Sequence, residues 1–357
     1  MNREYQRIGI GTGHLHTKEY TKILAFFRYV FDTYAGPTKK PILIDTAEDY
    51  GNGQSESILG RVIREAGIPR KHIFLASKVL PGHLRKADVK AACKASIKRL
   101  NCTYLDLYQI HWSNPTVDIS EALEAMDELY NEGLIRNIGV CNFCVNELKT
   151  ILLHHRIDTL QMEYNLNNML LEETHLQLCT DNDIQIIAYS PLDRGVLKFN
   201  EDLDVLKNIA HKLHKSVEQV SLAYLLQSDT VSCIPETIST EHFKANIESD
   251  FKLDFADTLH ICESFKTHVI GILPSKIGVG KTWNYKSLDE VKNNIHHLCP
   301  SPVEISKHML KYGMLKPIKI AVDGNQYQIV EGASRYWAHI LAYGADKKMP
   351  CIIVTET

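Results

Sequence analysis

A chain of 357 residues, 44% hydrophobic and 23% charged, has an ordinary globular composition and is long for a single domain. Its formal net charge of −3 excludes a general affinity for nucleic acid, and no run is apolar over the roughly 20 residues a membrane helix needs. Residues Met1 to Arg7 lack a signal peptide's apolar core, and the nine cysteines are scattered, as reduced thiols would be, so a cytoplasmic protein is expected.

Residues 7–13 read as a first strand ending in glycines, where backbone can approach a ligand closely. Thr17 to Tyr34 reads as an amphipathic helix capped at Thr17. The apolar run Ile42-Leu43-Ile44 reads as a buried strand that stops at Asp45, and a Gly/Asn loop carrying Tyr50 follows. A helix from Ser55 to Ala66, a strand ending at Lys78, a helix from Lys86 to Leu100, a strand ending at His111 and a helix from Ile119 to Asn131 come next. A strand over 135–140 ends at Cys141-Asn142; then helix 145–154, strand 158–161, helix 172–181 and the run 184–189 lead into Ser190-Pro191. Helix 216–228, strand 231–235 and helix 241–249 complete eight strand–helix pairs. Short connections imply a parallel sheet, and eight such pairs close into a (β/α)8 TIM barrel.

Beyond residue 262 the alternation stops. A strand start at 270–277, a loop-like stretch 281–287, a helix over 301–313, strands at 316–322 and 326–330 about a turn at Asp323-Gly324-Asn325, a helix over 332–343 and a strand at 349–354 describe a small α+β domain. The sequence therefore divides into domains 1–262 and 263–357. Up to residue 262 the chain carries 28 Lys/Arg against 35 Asp/Glu, and beyond it 12 against 8. The mildly basic back domain suits a phosphate-bearing ligand but falls short of a DNA-binding tail.

Asp45, Tyr50, Lys78 and His111 all fall at the ends of three successive strands, the rim where barrel enzymes keep their chemistry. A free phenol has a pKa of about 10; an adjacent ammonium favours the phenolate, and a carboxylate keeps that ammonium charged and in place. Tyr50 is thus a candidate acid backed by Lys78 and Asp45, and a neutral His111 can orient a carbonyl. Cys141-Asn142-Phe143-Cys144 is formally a C-x-x-C, but no second ligand pair or redox context accompanies it.

These residues carry a resemblance. Asp45-Thr46-Ala47-Glu48-Asp49-Tyr50-Gly51, Lys78 and Tyr108-Gln109-Ile110-His111-Trp112 are similar to the tetrad and flanking motifs of aldo-keto reductases. The resemblance implies reduction of an aldehyde or ketone by a nicotinamide cofactor, NADP or NAD, with Tyr50 giving the proton. It further implies that Gly11 and Thr12 border the cofactor, that Asn142 and Gln161 hold its carboxamide, and that Tyr189, followed by Ser190, stacks on the nicotinamide. Cys141 stands where a serine is usual. At the adenosine end, Glu236, His242 and Asn246 align with the segment where many members use a lysine and an arginine against a 2′-phosphate. An acidic Glu236 suits a free ribose hydroxyl instead, so relaxed NADP selectivity is expected.

The back domain is similar to the ParB/sulfiredoxin-like fold through its lysine-proline-isoleucine strand and Gly332-Ala333-Ser334-Arg335-Tyr336-Trp337-Ala338. That resemblance implies a phosphate site at Gly332, Ser334 and Arg335, although the nucleophilic cysteine of sulfiredoxins is absent. Two roles stay open for this domain: binding a nucleotide or phosphorylated metabolite, or packing, with Tyr336 and Trp337 capping the barrel mouth. For the whole chain the competing class is a nicotinamide-nucleotide sensor. A DNA-binding or nuclease activity is disfavoured by the charge.

Overall fold

Eight short strands, β1 (Ile10–Gly11), β2 (Ile42–Asp45), β3 (Ile73–Val79), β4 (Leu107–Ile110), β5 (Ile138–Cys141), β6 (Thr159–Glu163), β7 (Gln185–Tyr189) and β8 (Val231–Cys233), pair in chain order in one sheet, and every pairing is parallel. The computed structural model describes residues 4–36, 38–195, 203–265, 269–279, 285–294, 300–314, 317–323 and 326–354. Parallel bridges Ile8↔Cys233 and Gly11↔Glu236 join the last strand to the first and close the barrel. At this seam the Gly9 N–H donates to the Cys233 carbonyl at 2.8 Å and the Gly11 N–H to the Pro235 carbonyl at 3.2 Å. A Cβ on Gly11 would come within 2.9 Å of the Ile234 carbonyl oxygen, so the close approach there requires glycine.

Strands this apolar form where both faces are covered. Inside the barrel, Tyr5, Leu43, Phe74, Ala76, Leu107, Ile187 and Ile234 make one packed cluster, with Tyr189 against it. Outside, helices such as Gln54–Glu65, Lys86–Arg99 and Ile119–Asn131 follow their strands, with buried stripes such as Ala122, Leu123, Ala125, Met126 and Leu129. Two details depart from the sequence expectation. The first long helix begins at Tyr20 rather than Thr17; the Thr17 hydroxyl turns back to the His14 carbonyl at 2.8 Å and closes a short 3-10 turn at Leu15–Thr17. Helices Leu203–Leu213 and Phe255–Phe265 are also present.

The chain forms two compact units, one of Met1–Trp112, Ser120–Asn142 and His155–Lys266, the other of Ser113–Ile119, Phe143–His154 and Thr267–Thr357. The second thus takes in two segments that lie far upstream of residue 263. Its five strands, β9 (Val269–Ile272), β10 (Ile277–Gly278), β11 (Ile318–Asp323), β12 (Gln326–Glu331) and β13 (Met349–Ile353), are ordered β10-β12-β11-β13-β9. Helix Pro302–Tyr312 begins with a capping box between Ser301 and Glu304. The expected turn between β11 and β12 includes residues 324 and 325, and the loop-like stretch includes 281–284, which lie outside the described residues.

Tyr336 and Trp337 are buried in this unit's own core with Ile318, Ile320, Met349 and Cys351, and the Tyr336 hydroxyl donates to the Pro274 carbonyl at 3.2 Å. A buried polar pair is internal to the same unit, with His308 Nε2 3.0 Å from Glu147 Oε1 and 3.4 Å from Ser113 Oγ.

Candidate active site

At the C-terminal ends of β2, β3 and β4 the four polar residues converge. Lys78 is fully buried, and its ammonium donates to Asp45 Oδ2 at 2.5 Å, to the Thr46 carbonyl at 3.0 Å and to the Tyr50 hydroxyl at 3.0 Å. Burial disfavours a charged lysine, yet Asp45 foremost, with Tyr50 and Cys141 beside it, outweighs that and raises the Lys78 pKa above its ordinary value. The ring of His111 meets that of Tyr50 edge to face, centroids 5.8 Å apart and planes at 83°. Burial, and next the Lys78 charge, push the His111 imidazole down to about 3, so it is neutral at any ordinary pH.

The phenol departs from the sequence expectation. Lys78 does pull Tyr50 towards the phenolate, but desolvation is the larger influence and leaves its pKa raised. In this geometry Tyr50 holds its proton firmly, as an acid awaiting an acceptor does. Cys141, in place of the usual serine, has its thiol pushed up by burial and is no nucleophile.

Side chains within the barrel support the carboxylate. Asp45 Oδ1 accepts from the Gln161 amide at 2.7 Å and from the Gln109 amide at 3.4 Å, and the Thr159 hydroxyl donates to Gln109 Oε1 at 3.4 Å. Gln161 thereby directs its NH2 inward to Asp45. Thr12 is likewise committed, since its N–H and hydroxyl donate to the Asp45 carbonyl at 3.1 and 2.8 Å. Gly11 closes the barrel seam. Gln109 is a site residue that sequence reasoning passed over, although it lies inside the Tyr108–Trp112 motif.

Beyond the tetrad, Asn142 sits in left-handed backbone at φ 61. Its amide donates to the His111 carbonyl at 3.3 Å and accepts from the Tyr189 hydroxyl at 2.9 Å. Ser190, also left-handed at φ 47, presents its carbonyl to the Asn165 amide at 3.1 Å. The oxygen of that amide, Asn165 Oδ1, is buried with no partner among the described residues, as is Thr46 Oγ1. Unusual backbone at the ends of β5 and β7 is the kind of strain that accompanies ligand sites. An asparagine amide offers both a donor and an acceptor, which complements a carboxamide, so the residues present fit a nicotinamide.

Farther round the rim, both carboxylate oxygens of Glu236 are engaged by His14: Oε1 by its N–H and Oε2 by its ring Nδ1, each at 2.9 Å. His242 and Asn246 lie one turn apart on helix Thr240–Ile247, His242 exposed and Asn246 buried. In the second unit, Arg335 is 9% exposed; it donates to Glu331 Oε1 at 2.9 Å and to the Pro317 carbonyl at 3.2 Å. Gly332, at φ 101, packs on that guanidinium, and Ser334 follows in the first turn of helix Ala333–Tyr343. The arginine expected in a phosphate cradle is thus paired with a neighbouring carboxylate. No group of three or more His, Cys, Asp or Glu able to hold a metal occurs among the described residues, and no helix among them is long and apolar enough to cross a membrane.

Against known proteins, the model of the aldo/keto reductase family matches residues 7–263. The chain is 38% identical over 204 residues to the aldo-keto reductase YhdN of Bacillus subtilis, covering 53% of this chain but only 61% of that relative. It is 36% identical to a glyoxal reductase of the same organism, over 66% of this chain and 82% of the relative. It is also 35% identical to the methylglyoxal reductase YeaE of Escherichia coli, over 57% and 72%. Among solved structures, the thermostable aldo-keto reductase Tm1743 superposes with a TM-score of 0.66 at 32% identity, over 74% of this chain and 96% of that one. An aldo/keto reductase from Klebsiella pneumoniae, solved with NADP and acetate, gives 0.65 at 29% identity, over 73% and 92%.

Proposed function

The chain belongs to the aldo/keto reductase family, whose matched model spans 7–263, and from that premise we propose that it reduces a small aldehyde or ketone to the alcohol with NADPH or NADH, using Tyr50 as the acid. One observation carries the reading: a buried ammonium that touches Asp45 and the Tyr50 hydroxyl at once, at 2.5 and 3.0 Å. When bound, the nicotinamide supplies the hydride. The Tyr50 hydroxyl then delivers its proton to the carbonyl oxygen, and Lys78 stabilises the phenolate left behind. His111, neutral, donates a hydrogen bond that fixes where that oxygen lies. Asn142 and Tyr189 are the groups we assign to the carboxamide and ring of the cofactor, with Ser190 lining the same edge. Relatives named for glyoxal and methylglyoxal make these dicarbonyls the first substrates to try. Replacing Tyr50 with Phe tests the reading: reduction should fall by about 10²- to 10⁴-fold while NADPH still binds. A Tyr50→Phe enzyme retaining most of its turnover would remove the assigned acid.

We assign the adenosine end to Glu236, His242 and Asn246. A carboxylate at Glu236 disfavours a 2′-phosphate, so the ratio of kcat/KM with NADPH to that with NADH should stay below about a hundred, roughly 2.7 kcal/mol of discrimination; a larger ratio contradicts this. For residues 263–357 we keep the ParB/sulfiredoxin-like reading and a structural role. The Glu331–Arg335 pair favours that role over nucleotide binding, and titrating the whole protein with ATP or CTP would reveal a second site if one exists.

A further inference from the structure

Behind the tetrad lies a second group of charged side chains that takes no part in proton transfer. Glu56 is fully buried on helix Gln54–Glu65, and Glu48 is 8% exposed in the loop that carries Tyr50. Arg99, at the end of helix Lys86–Arg99, reaches between them, its Nε 2.6 Å from Glu56 Oε2 and its Nη2 4.0 Å from Glu48 Oε2. The other oxygen of Glu56 accepts from the Ser77 hydroxyl at 2.6 Å, and Ser77 immediately precedes Lys78. Glu48 Oε1 accepts from the Leu80 N–H at 2.7 Å, two residues beyond Lys78, and is 3.0 Å from His83 Nδ1.

The loop depends on these side chains. Among the described residues, backbone bonds tie it to β3 only at Thr46, to the Ala76 carbonyl at 3.0 Å, and at Glu48, to the Lys78 carbonyl at 3.4 Å. Past Glu48 the N–H groups of Tyr50 and Asn52 turn inward to Ala47 and Asp49. Gly53, at φ 81, rests on the Arg99 side chain, where an added Cβ would lie 2.8 Å from its Cδ. A buried ion cluster is no better for stability than apolar packing of the same volume; what it can fix is relative position.

We infer that Arg99, with Glu48 and Glu56, positions the Tyr50 loop against β3 on both sides of Lys78 and so sets the contact between the Tyr50 hydroxyl and the Lys78 ammonium. None of the three touches the reacting atoms; they act through Tyr50 and Lys78. The inference rests on Tyr50 being the acid. Arg99→Lys keeps the charge and loses the planar fork that spans two carboxylates. In the full chain it should lower kcat for methylglyoxal at least tenfold while KM for NADPH stays within twofold. A second readout is independent of turnover: the titration of the Tyr50 ring in ¹³C-tyrosine-labelled protein, assigned with Tyr50→Phe, should move by at least half a pH unit. Should Arg99→Lys not fold, Ser77→Ala removes one tie to Glu56 and leaves the ion pair, and should move the same titration and lower kcat about threefold. A folded variant whose Tyr50 titration coincides with wild type overturns the inference, whether or not the wild type reduces methylglyoxal. A wild type without turnover on any carbonyl instead removes the reductase reading and leaves the positioning result standing.

Discussion

Replacing Lys78 with Met keeps the methylene stem and removes the charge together with three hydrogen bonds, those to Asp45, Thr46 and Tyr50. Asp45 is then a buried carboxylate without a cation, and breaking a buried pair from one side costs about 3–5 kcal/mol. The amides of Gln161 and Gln109 still reach Asp45 Oδ1, which places the expected loss near the low end, about 3 kcal/mol. At about 2–4 °C per kcal/mol for a barrel-sized domain, the melting temperature should fall by roughly 6–12 °C. Adding Asp45→Asn to Lys78→Met removes the stranded charge, so the double variant should melt above the single one yet remain inactive. Thermal denaturation followed by circular dichroism, beside steady-state reduction of methylglyoxal, reads both effects. A single variant melting within 2 °C of wild type, or a double variant no more stable than the single, refutes the picture of Lys78 as the counter-charge of Asp45.

Two pH dependences follow. Desolvation, opposed by Lys78, leaves the Tyr50 pKa raised, so the acid stays protonated beyond its ordinary value of about 10. Carbonyl reduction should hold its rate to at least that pH while alcohol oxidation, which needs the phenolate, climbs across the range. A reductive rate that halves below pH 9 would refute this. His111, by contrast, moves from 6.5 in the unfolded chain to about 3 in the folded one. Between those values the unfolded state binds the extra proton, so stability is full above about 6.5 and is lost progressively as pH falls towards 3. His111→Asn should flatten that slope, measured as the difference in urea midpoints at pH 4.5 and 7; an unchanged slope would contradict the shift.

The tetrad was legible because Asp45, Lys78 and His111 end apolar runs, with Tyr50 in the loop after the first, and a strand that stops at a polar residue announces a barrel rim. What stayed hidden depends on radial direction within the barrel. Nothing in Leu160-Gln161-Met162 tells whether the glutamine looks up to the rim or inward to Asp45, since that is set by the register of β6 on β5 and β7. Thr12 and Gln109 were invisible as partners of Asp45 for the same reason. The direction of the Tyr50 shift was misjudged because the charge of Lys78 can be read from sequence, whereas the degree of desolvation cannot. Arg99 and Glu56 are 43 residues apart, and no local pattern joins them.

The domain boundary shows a further limit, and it yields a test. A change of pattern after residue 262 places the cut there, but packing assigns Ser113–Ile119 and Phe143–His154 to the second unit. Within it, His308 is 5% exposed and Glu147 is 2% exposed, with His308 Nε2 3.0 Å from the Glu147 carboxylate. Further ties join the same segments: Cys144 Sγ and the Asn146 amide both donate to the Tyr312 carbonyl, at 3.5 and 3.3 Å. A fragment starting at residue 263 keeps His308 and Tyr312 and loses every one of these partners. Leaving a buried polar group unpaired costs about 1–3 kcal/mol, a large part of what a domain of under 100 residues has to offer. Hydrogen exchange in helix Pro302–Tyr312 should therefore be at least fivefold faster in the fragment than in the full chain. Equal protection in the two would mean that the upstream segments add nothing to this unit, and that the cut suggested by sequence is also the cut in stability.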